Sequence, residues 1–277
     1  MNTKKQAHKL TNEELKKLQK VELELLVEFD RICRKHNIIY SIDGGTLLGA
    51  VRHGGFIPWD DDADVIMVRK EYEKFLSVVD QELDTDKFYL QDINRTPGYR
   101  WGYAKFRRAN TDFVRLNQEH MPYKQGIFLD IFVCDNVPDN YILRCLCNFH
   151  SFIYRKIFYS EVGKYASSGI SKFIYKILSL IPEKTIKNRY NKYVKFRNRK
   201  NTELVKCLTF PACNSVYGYK RKWYEDTIDI EFEGVTLKGT RHYDDYLKFL
   251  YGDYMELPPV EKRKVHPVSK ITFPDDY

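Results

Sequence analysis

GGTLLGAVRHGGFIPWDDDADVIMV, residues 44–68, joins two kinds of local order across an acidic loop. TLLGAVRH (46–53) has the composition of a short helix, with Thr46 as a suitable N-cap and Gly54-Gly55 as a stop. ADVIMV (63–68) is apolar and β-branched, which predicts a strand. Pro58 forbids a helix leading into the aspartates. Alternation at the start of the strand turns Asp62 and Asp64 one way and Asp61 and Ala63 the other. Two carboxylates held side by side raise each other's pKa unless a cation neutralises them, so the pair implies a bound metal.

A third carboxylate, Asp130, sits inside GIFLDIFVCD (126–135), an otherwise apolar strand where an unpaired ionised group is costly to bury. If the two strands adjoin, Asp62, Asp64 and Asp130 form a cage for one or two Mg²⁺ ions, which bind carboxylate and phosphate oxygens alike. Such cages serve phosphoryl and nucleotidyl transfer. Gly44, Gly45 and Thr46 then acquire a role. Glycines admit a ligand close to the backbone, and the amides opening the next helix favour a donor phosphate.

Three rivals compete for the aspartates. Counted from Asp60, aspartates at positions one, three and five with Glu71 at twelve mimic an EF-hand calcium loop, but Val65 replaces the loop glycine and Pro58 removes the incoming helix. A solvated acidic patch accounts for Asp60 and Asp61 but not for Asp64 beside VIMV or Asp130 within IFLDIFV. A DxD glycosyltransferase holds its metal in the same way, yet such enzymes place a nucleotide-binding βαβ region before the motif, and only about sixty residues precede it here.

Outside the motif, Thr11-Asn12-Glu13-Glu14 fits a capping box, and Leu15, Leu18, Leu25, Phe29 and Ile32 continue an amphipathic helix to about His36. IIYSID (38–43) reads as a short strand, KEYEKFLSVVDQEL (70–83) as a helix, and residues 98–116 as a hairpin turning near Asn110. Residues 141–201 read as helices broken near Ser167–Gly169 and at Pro182; a hairpin over 228–237 and a helix over 243–254 follow. The mixture predicts an α+β fold in three parts: a catalytic core (1–140), a basic helical subdomain (141–205), and a C-terminal hairpin and helix (206–277) that complete the core.

The net charge of +8 is unevenly spread: residues 141–200 hold 14 Lys and Arg against Glu161 and Glu183. No nucleic-acid motif accompanies them, so a nucleic-acid partner is not expected. SKFIYKILSLI (171–181) sets Phe173, Ile174, Ile177, Leu178 and Ile181 on one helical face with Lys172 and Lys176 beside it. Such a segment either packs on the core or rests on an anionic membrane. No apolar run reaches the ~20 residues of a membrane span, and MNTKKQAHKL lacks the apolar stretch of a secretory signal. A cytoplasmic protein, peripheral at the inner face of the membrane, is expected. Cysteines at 33, 134, 145, 147, 207 and 213 lack paired CxxC spacing and read as buried thiols; zinc held by Cys207, Cys213, His242 and His266 is the alternative.

YSIDGGTLLGAVRHGGFIPWDDDADVIMVRKEYEKF (40–75) closely resembles the signature of the LicD family, the phosphocholine transferases of bacterial surface glycans. GIFLDIFVCDNVPD (126–139) is similar to that family's second acidic strand and YDDYLKFLYGDYMELPP (243–259) to its C-terminal segment, while residues 141–240 match loosely. The resemblance implies a nucleotidyltransferase (polymerase-β-like) core sheet and transfer of phosphocholine from CDP-choline or a similar CDP-linked donor to a hydroxyl of a cell-surface or lipid-linked glycan, with CMP leaving. It implies that Asp62, Asp64 and Asp130 hold Mg²⁺, that Gly44, Gly45 and Thr46 contact donor phosphates, and that Asp130 acts as general base. Arg52 is a candidate phosphate contact, with a solvated arginine as the alternative. Trp59, Trp101 and Tyr103 offer aromatic faces to a quaternary ammonium. Some family members use another donor or acceptor. The non-enzyme alternative, a calcium- or glycan-binding module, predicts metal binding without nucleotide turnover.

Overall fold

The computed structural model describes residues 7–211, 214–263 and 265–275. Thr11 caps α1 (Asn12–Lys35) as its sequence requires: its hydroxyl accepts from the Glu14 amide, and the Glu14 carboxylate accepts from the Thr11 amide. The apolar stripe Leu18, Val21, Leu25, Phe29 and Ile32 is buried. There follow β1 (Ser41–Ile42), α2 (Gly44–His53), β2 (Ala63–Val68), α3 (Arg69–Glu82), β3 (Phe88–Gln91), β4 (Ala104–Arg108), β5 (Asp112–Arg115) and β6 (Phe128–Asn136). The helices α4 (Tyr141–Ala166), α5 (Gly169–Ser179) and α6 (Glu183–Arg197) come next, then β7 (Leu204–Lys206), β8 (Tyr219–Lys220), α7 (Lys222–Glu225), β9 (Thr227–Phe232), β10 (Val235–Thr240), α8 (Tyr243–Tyr251) and β11 (Val268–Thr272).

Among the described residues the main sheet runs in the order β1-β2-β6-β4-β3, with β7 and β8 extending it from the end of β6. The β2–β6 pair is parallel, and its other ladders are antiparallel. The result is a mixed α/β fold. Its back face packs on α1 and α3: Phe29 meets Phe75 at 5.0 Å and Phe106 at 6.4 Å, and Phe106 stacks on Phe88 at 5.5 Å. Alternation turns Asp64, Asp130, Phe132 and Lys105 to the front face. A smaller apolar cluster, including Tyr154, Phe158, Ile186 and Tyr190, joins α4 to α6. The hairpin β9–β10 turns on Glu233 and Gly234, both left-handed, and sets Phe232 against Phe56 at 4.8 Å.

Several expectations change. Residues 98–116 are not a hairpin. The chain does turn at the left-handed Asn110, but β4 lies between β3 and β6 with both edges occupied, so β5 is displaced and pairs with β11 instead. The helix after the glycines starts at Gly44, with Asp43 in the cap position; Thr46 is inside its first turn and buried. The first strand shrinks to two residues. The last helix stops at Tyr251, where Gly252 adopts φ 70°. The breaks at 167–168 and Pro182 fall where expected. Among the described residues no helix is long and apolar enough to cross a membrane.

Because Phe106 is fully buried between Phe29 and Phe88, Phe106→Ala is expected to lower the unfolding free energy by about 3–5 kcal/mol, measured by urea titration.

Candidate active site

Parallel register places Asp64 opposite Asp130 across β2 and β6. The neighbouring elements hold this pair in place. The Asp43 amide donates to the Asp64 carbonyl at 3.0 Å, and the Asp64 amide donates to Thr46 Oγ1 at 2.9 Å, which ties the first turn of α2 to the acidic strand. Gly44 takes φ 50°, in the region that favours glycine, and a Cβ at Gly45 would lie 2.6 Å from Asp60 Oδ2. Beneath the loop, the Gln19 side-chain amide donates to the carbonyls of Ile57 and Asp60 at 3.3 and 3.0 Å.

The carboxylates crowd one another. Burial pushes Asp64 well above the ordinary carboxylate range, and Asp62 and Asp130 add to the effect. Burial, with repulsion from Asp62 and Asp61, raises Asp60 to about 8. Asp62 is also raised by burial, against the pull of Arg115 Nη2, 3.3 Å from its Oδ2, and of His266 Nδ1 at 3.5 Å. Asp43 rises to about 6 through burial, although its carboxylate accepts from the Tyr246 hydroxyl and the Gly44 amide. Asp130 accepts from Lys105, whose ammonium lies 3.2 Å from the Phe128 ring centroid; burial draws Lys105 down to about 7. Asp61, fully enclosed, accepts from the His266 amide at 2.7 Å and faces its ring nitrogen at 3.0 Å.

The three proposed metal ligands thus lie in one electrostatic neighbourhood, with Lys105 and Arg115 already paired to two of them. Among the described residues, the group whose ligand atoms all lie within 4.8 Å of one another is Asp61, Asp62 and His266. Asp62, Asp64 and Asp130 are not drawn that close together in this structure, but the carboxylate oxygens around them are the hard donors a divalent cation takes, and they outnumber the cations facing them. Glu22 of α1, missed in the sequence, strengthens the fit. Its Oε2 is buried without a hydrogen-bond partner among the described residues, and burial beside Asp62, Asp61, Asp60 and Asp64 raises its pKa well above normal.

A cavity of about 280 Å³ opens beside Asp64, lined by Gly44, Gly45, Phe132, Phe210, Tyr219 and Tyr251 together with Lys206. A larger cavity of about 860 Å³ lies toward α6, lined in part by Arg69, Trp101, Tyr103, Asn136 and Asn198. Tyr103 connects the two, packing on Phe132 at 5.2 Å and Phe210 at 6.3 Å. The three aromatic candidates are not brought together. Trp101 and Tyr103 are neighbours at 6.1 Å, whereas the Trp59 face carries the Arg263 guanidinium at 4.2 Å. Arg52 donates to the carbonyls of Tyr254 and Glu256 at 2.7 and 3.3 Å, so it anchors the C-terminal segment. Glu71 accepts from the Ile39 amide and Lys74, which removes it from any calcium loop. His242 pairs with Asp226 and His266 with Asp61, away from Cys207; Cys213 lies outside the described residues.

Lys105 and Arg115 carried no motif that flagged them, and the sequence offered His266 only as an alternative zinc ligand. The signal available for Lys105 and Arg115 was a cation in a β-rich segment, which requires an acidic partner once buried. Nothing local in the sequence joined His266, in a Pro-containing tail, to Asp61.

A family model described as LicD/FKTN/FKRP, nucleotidyltransferase domain, matches residues 37–161. The chain is 31% identical over 276 aligned residues to the lipopolysaccharide cholinephosphotransferase LicD of Haemophilus influenzae, an alignment covering 92% of this chain and 97% of that protein. It is also 28% identical over 118 residues to the uncharacterised protein RP689 of Rickettsia prowazekii, covering 43% of this chain and 40% of the relative.

The raised carboxyls fix the sign of a pH effect. With Asp43 at about 6 and Asp60 at about 8, the folded state holds more protons than the unfolded chain above the ordinary carboxylate range, so stability falls as pH rises through those values. Mg²⁺ requires the ionised forms. The thermal midpoint of metal-free protein is expected to drop between about pH 5.5 and about pH 8, with Mg²⁺ restoring it far more at the higher pH. At a hundred times its Kd the ion contributes about 2.7 kcal/mol. Differential scanning fluorimetry checks this, and Asp64→Asn with Asp130→Asn should abolish the Mg²⁺ response.

Proposed function

The chain belongs to the LicD family and is a phosphotransferase, and we propose that it moves phosphocholine from a CDP-linked donor to a hydroxyl of a cell-surface glycan or its lipid-linked precursor, releasing CMP. The observation that carries this reading is the in-register pair Asp64 and Asp130 beside the glycine-opened helix and an aromatic cavity. The core is read as a nucleotidyltransferase-type sheet acting with Mg²⁺. The reading is supported by the Haemophilus influenzae relative, a lipopolysaccharide cholinephosphotransferase whose alignment spans nearly its whole length.

In this reaction the acceptor oxygen forms a bond to the phosphocholine phosphorus, the bridging P–O bond to CMP breaks, and the acceptor proton passes to the Asp130 carboxylate. Asp62, Asp64 and Asp130 would hold Mg²⁺, which supplies neutralisation of the donor phosphate oxygens when bound. Gly44 and Gly45 keep the opening of α2 accessible to the diphosphate. Lys105 fixes the position of Asp130, and Thr46 fixes that of Asp64. Phe132, Phe210 and Tyr251 present aromatic surface for the trimethylammonium group beside Asp64. With Trp59 covered by Arg263, this cavity is the better seat for the head group.

The test is acceptor-dependent CMP release from CDP-choline in the presence of Mg²⁺ and lipopolysaccharide. Asp64→Asn and Asp130→Asn are each expected to lose at least about a hundredfold in kcat. Phe210→Ala is expected to raise KM for CDP-choline by roughly tenfold and to leave turnover of CDP-glycerol unchanged. Turnover of CDP-glycerol or CDP-ethanolamine without any of CDP-choline would assign a different head group.

A further inference from the structure

The helix α5 is stably placed, with Leu178 and the following Ile181 packed on the α4–α6 cluster, yet leaves the rest of its apolar stripe uncovered. Of its residues Tyr175 is the buried one, and it seats on Gly163 of α4, where a Cβ would come within 2.6 Å of the tyrosine ring. Lys156 donates to the Tyr175 hydroxyl at 3.1 Å, completing that anchor. The stripe itself faces outward: Ile170 is 81% exposed and Phe173 65%, with Ile174, Ile177 and Leu180 also exposed. Helix α4 does the same along its first half, where Ile142 is 71% exposed and Phe149 63%. The two stripes meet at a groove between the helices that Phe152, Ile153 and Ile174 line.

The charge around this face has one sign. Lys172 and Lys176 flank Phe173 and Ile177 in sequence, and Arg155 and Lys156 stand 5.4 and 5.2 Å from the Phe152 ring. The two carboxylates of residues 141–200 are engaged with the core instead: Glu161 meets Arg100 at 2.8 Å, and Glu183 accepts from the Gly98 amide at 3.1 Å. A second copy would bring two faces of like charge together. A surface that is anionic outside and apolar beneath matches both properties, and aromatic rings paired with cations suit the boundary between them.

We propose that the α4–α5 hairpin is a docking element for an anionic lipid bilayer, lying in the headgroup plane without crossing it. This would keep the active site next to a lipid-linked acceptor, but it does not depend on the activity, because α4 and α5 supply none of the metal-binding carboxylates.

The experiment is co-sedimentation of the full chain with vesicles of phosphatidylcholine and phosphatidylglycerol, or of phosphatidylcholine alone. Wild type is expected to bind the anionic vesicles at least tenfold more tightly than the neutral ones, by the contribution of several surface cations. Phe173→Glu with Ile177→Glu, which leaves the Tyr175 anchor intact, should reduce that binding at least tenfold, as should Lys172→Glu with Lys176→Glu. Unchanged thermal midpoints show that the variants remain folded. Failure of wild type to bind anionic vesicles overturns the proposal, as does equal binding by the Phe173/Ile177 variant. So does a wild-type dimer that this variant converts to monomer without vesicle binding in either form, which would assign the face to self-association.

Discussion

Two carboxylates facing one another across a parallel ladder repel, and most of the molecule's polar architecture answers that repulsion. At an effective dielectric of about 20, unit charges about 4 Å apart interact by about 4 kcal/mol, a large share of the stability of an ordinary domain. Asp64 and Asp130 face one another in register on the front face, Asp130 buried and Asp64 half-buried. The back face answers with Phe29, Phe75, Phe88 and Phe106 packed on the same strands. A sheet that is apolar behind can hold a charged constellation rigidly in front. That combination is what a site needs if it is to bind a cation without being shaped by it.

The counter-charges are arranged to restrain the carboxylates without cancelling them. Lys105 reaches Asp130 from the adjacent strand, Arg115 reaches Asp62 from the displaced strand, and His266 reaches Asp61 from the C-terminal segment. Lys105 and Arg115 each hold one carboxylate and His266 faces both Asp61 and Asp62, while Asp64 and Glu22 have no cation partner among the described residues. More carboxyl groups than cations therefore remain at the centre, facing the opening of α2 and the aromatic cavity. For the donor proposed above, an anionic phosphate and an acidic pocket would be compatible only with a cation between them.

The acidic motif and the strands that carry it were legible in the sequence because their signals are local. Proline before the aspartates, alternation within ADVIMV and an isolated Asp within IFLDIFV each constrain a few adjacent residues. The capping box and the helix breaks were legible for the same reason. What the sequence hid is non-local. The departure of β5 to β11 depends on which edges of β4 are already occupied, and the turn at Asn110 looks the same in either case. Thr46 has the chemistry of a helix cap but satisfies the Asp64 amide instead, a competition decided by tertiary packing. Arg52 and Trp59 were reasonable ligand contacts by position, but the C-terminal segment folds over both.

The distance between Asp61 and its partner His266, 205 positions along the chain, gives the site an order of assembly during synthesis. The glycine-opened helix and both acidic strands leave the ribosome early and can close their ladder, whereas His266 and the strand that braces Arg115 are made last. At about 5–20 residues per second the interval is roughly ten to forty seconds. For that time the nascent protein carries an acidic loop not yet fastened by its C-terminal clasp, so the arrival of the final strand, more than the closing of the sheet, marks the moment at which the active site becomes a single structure.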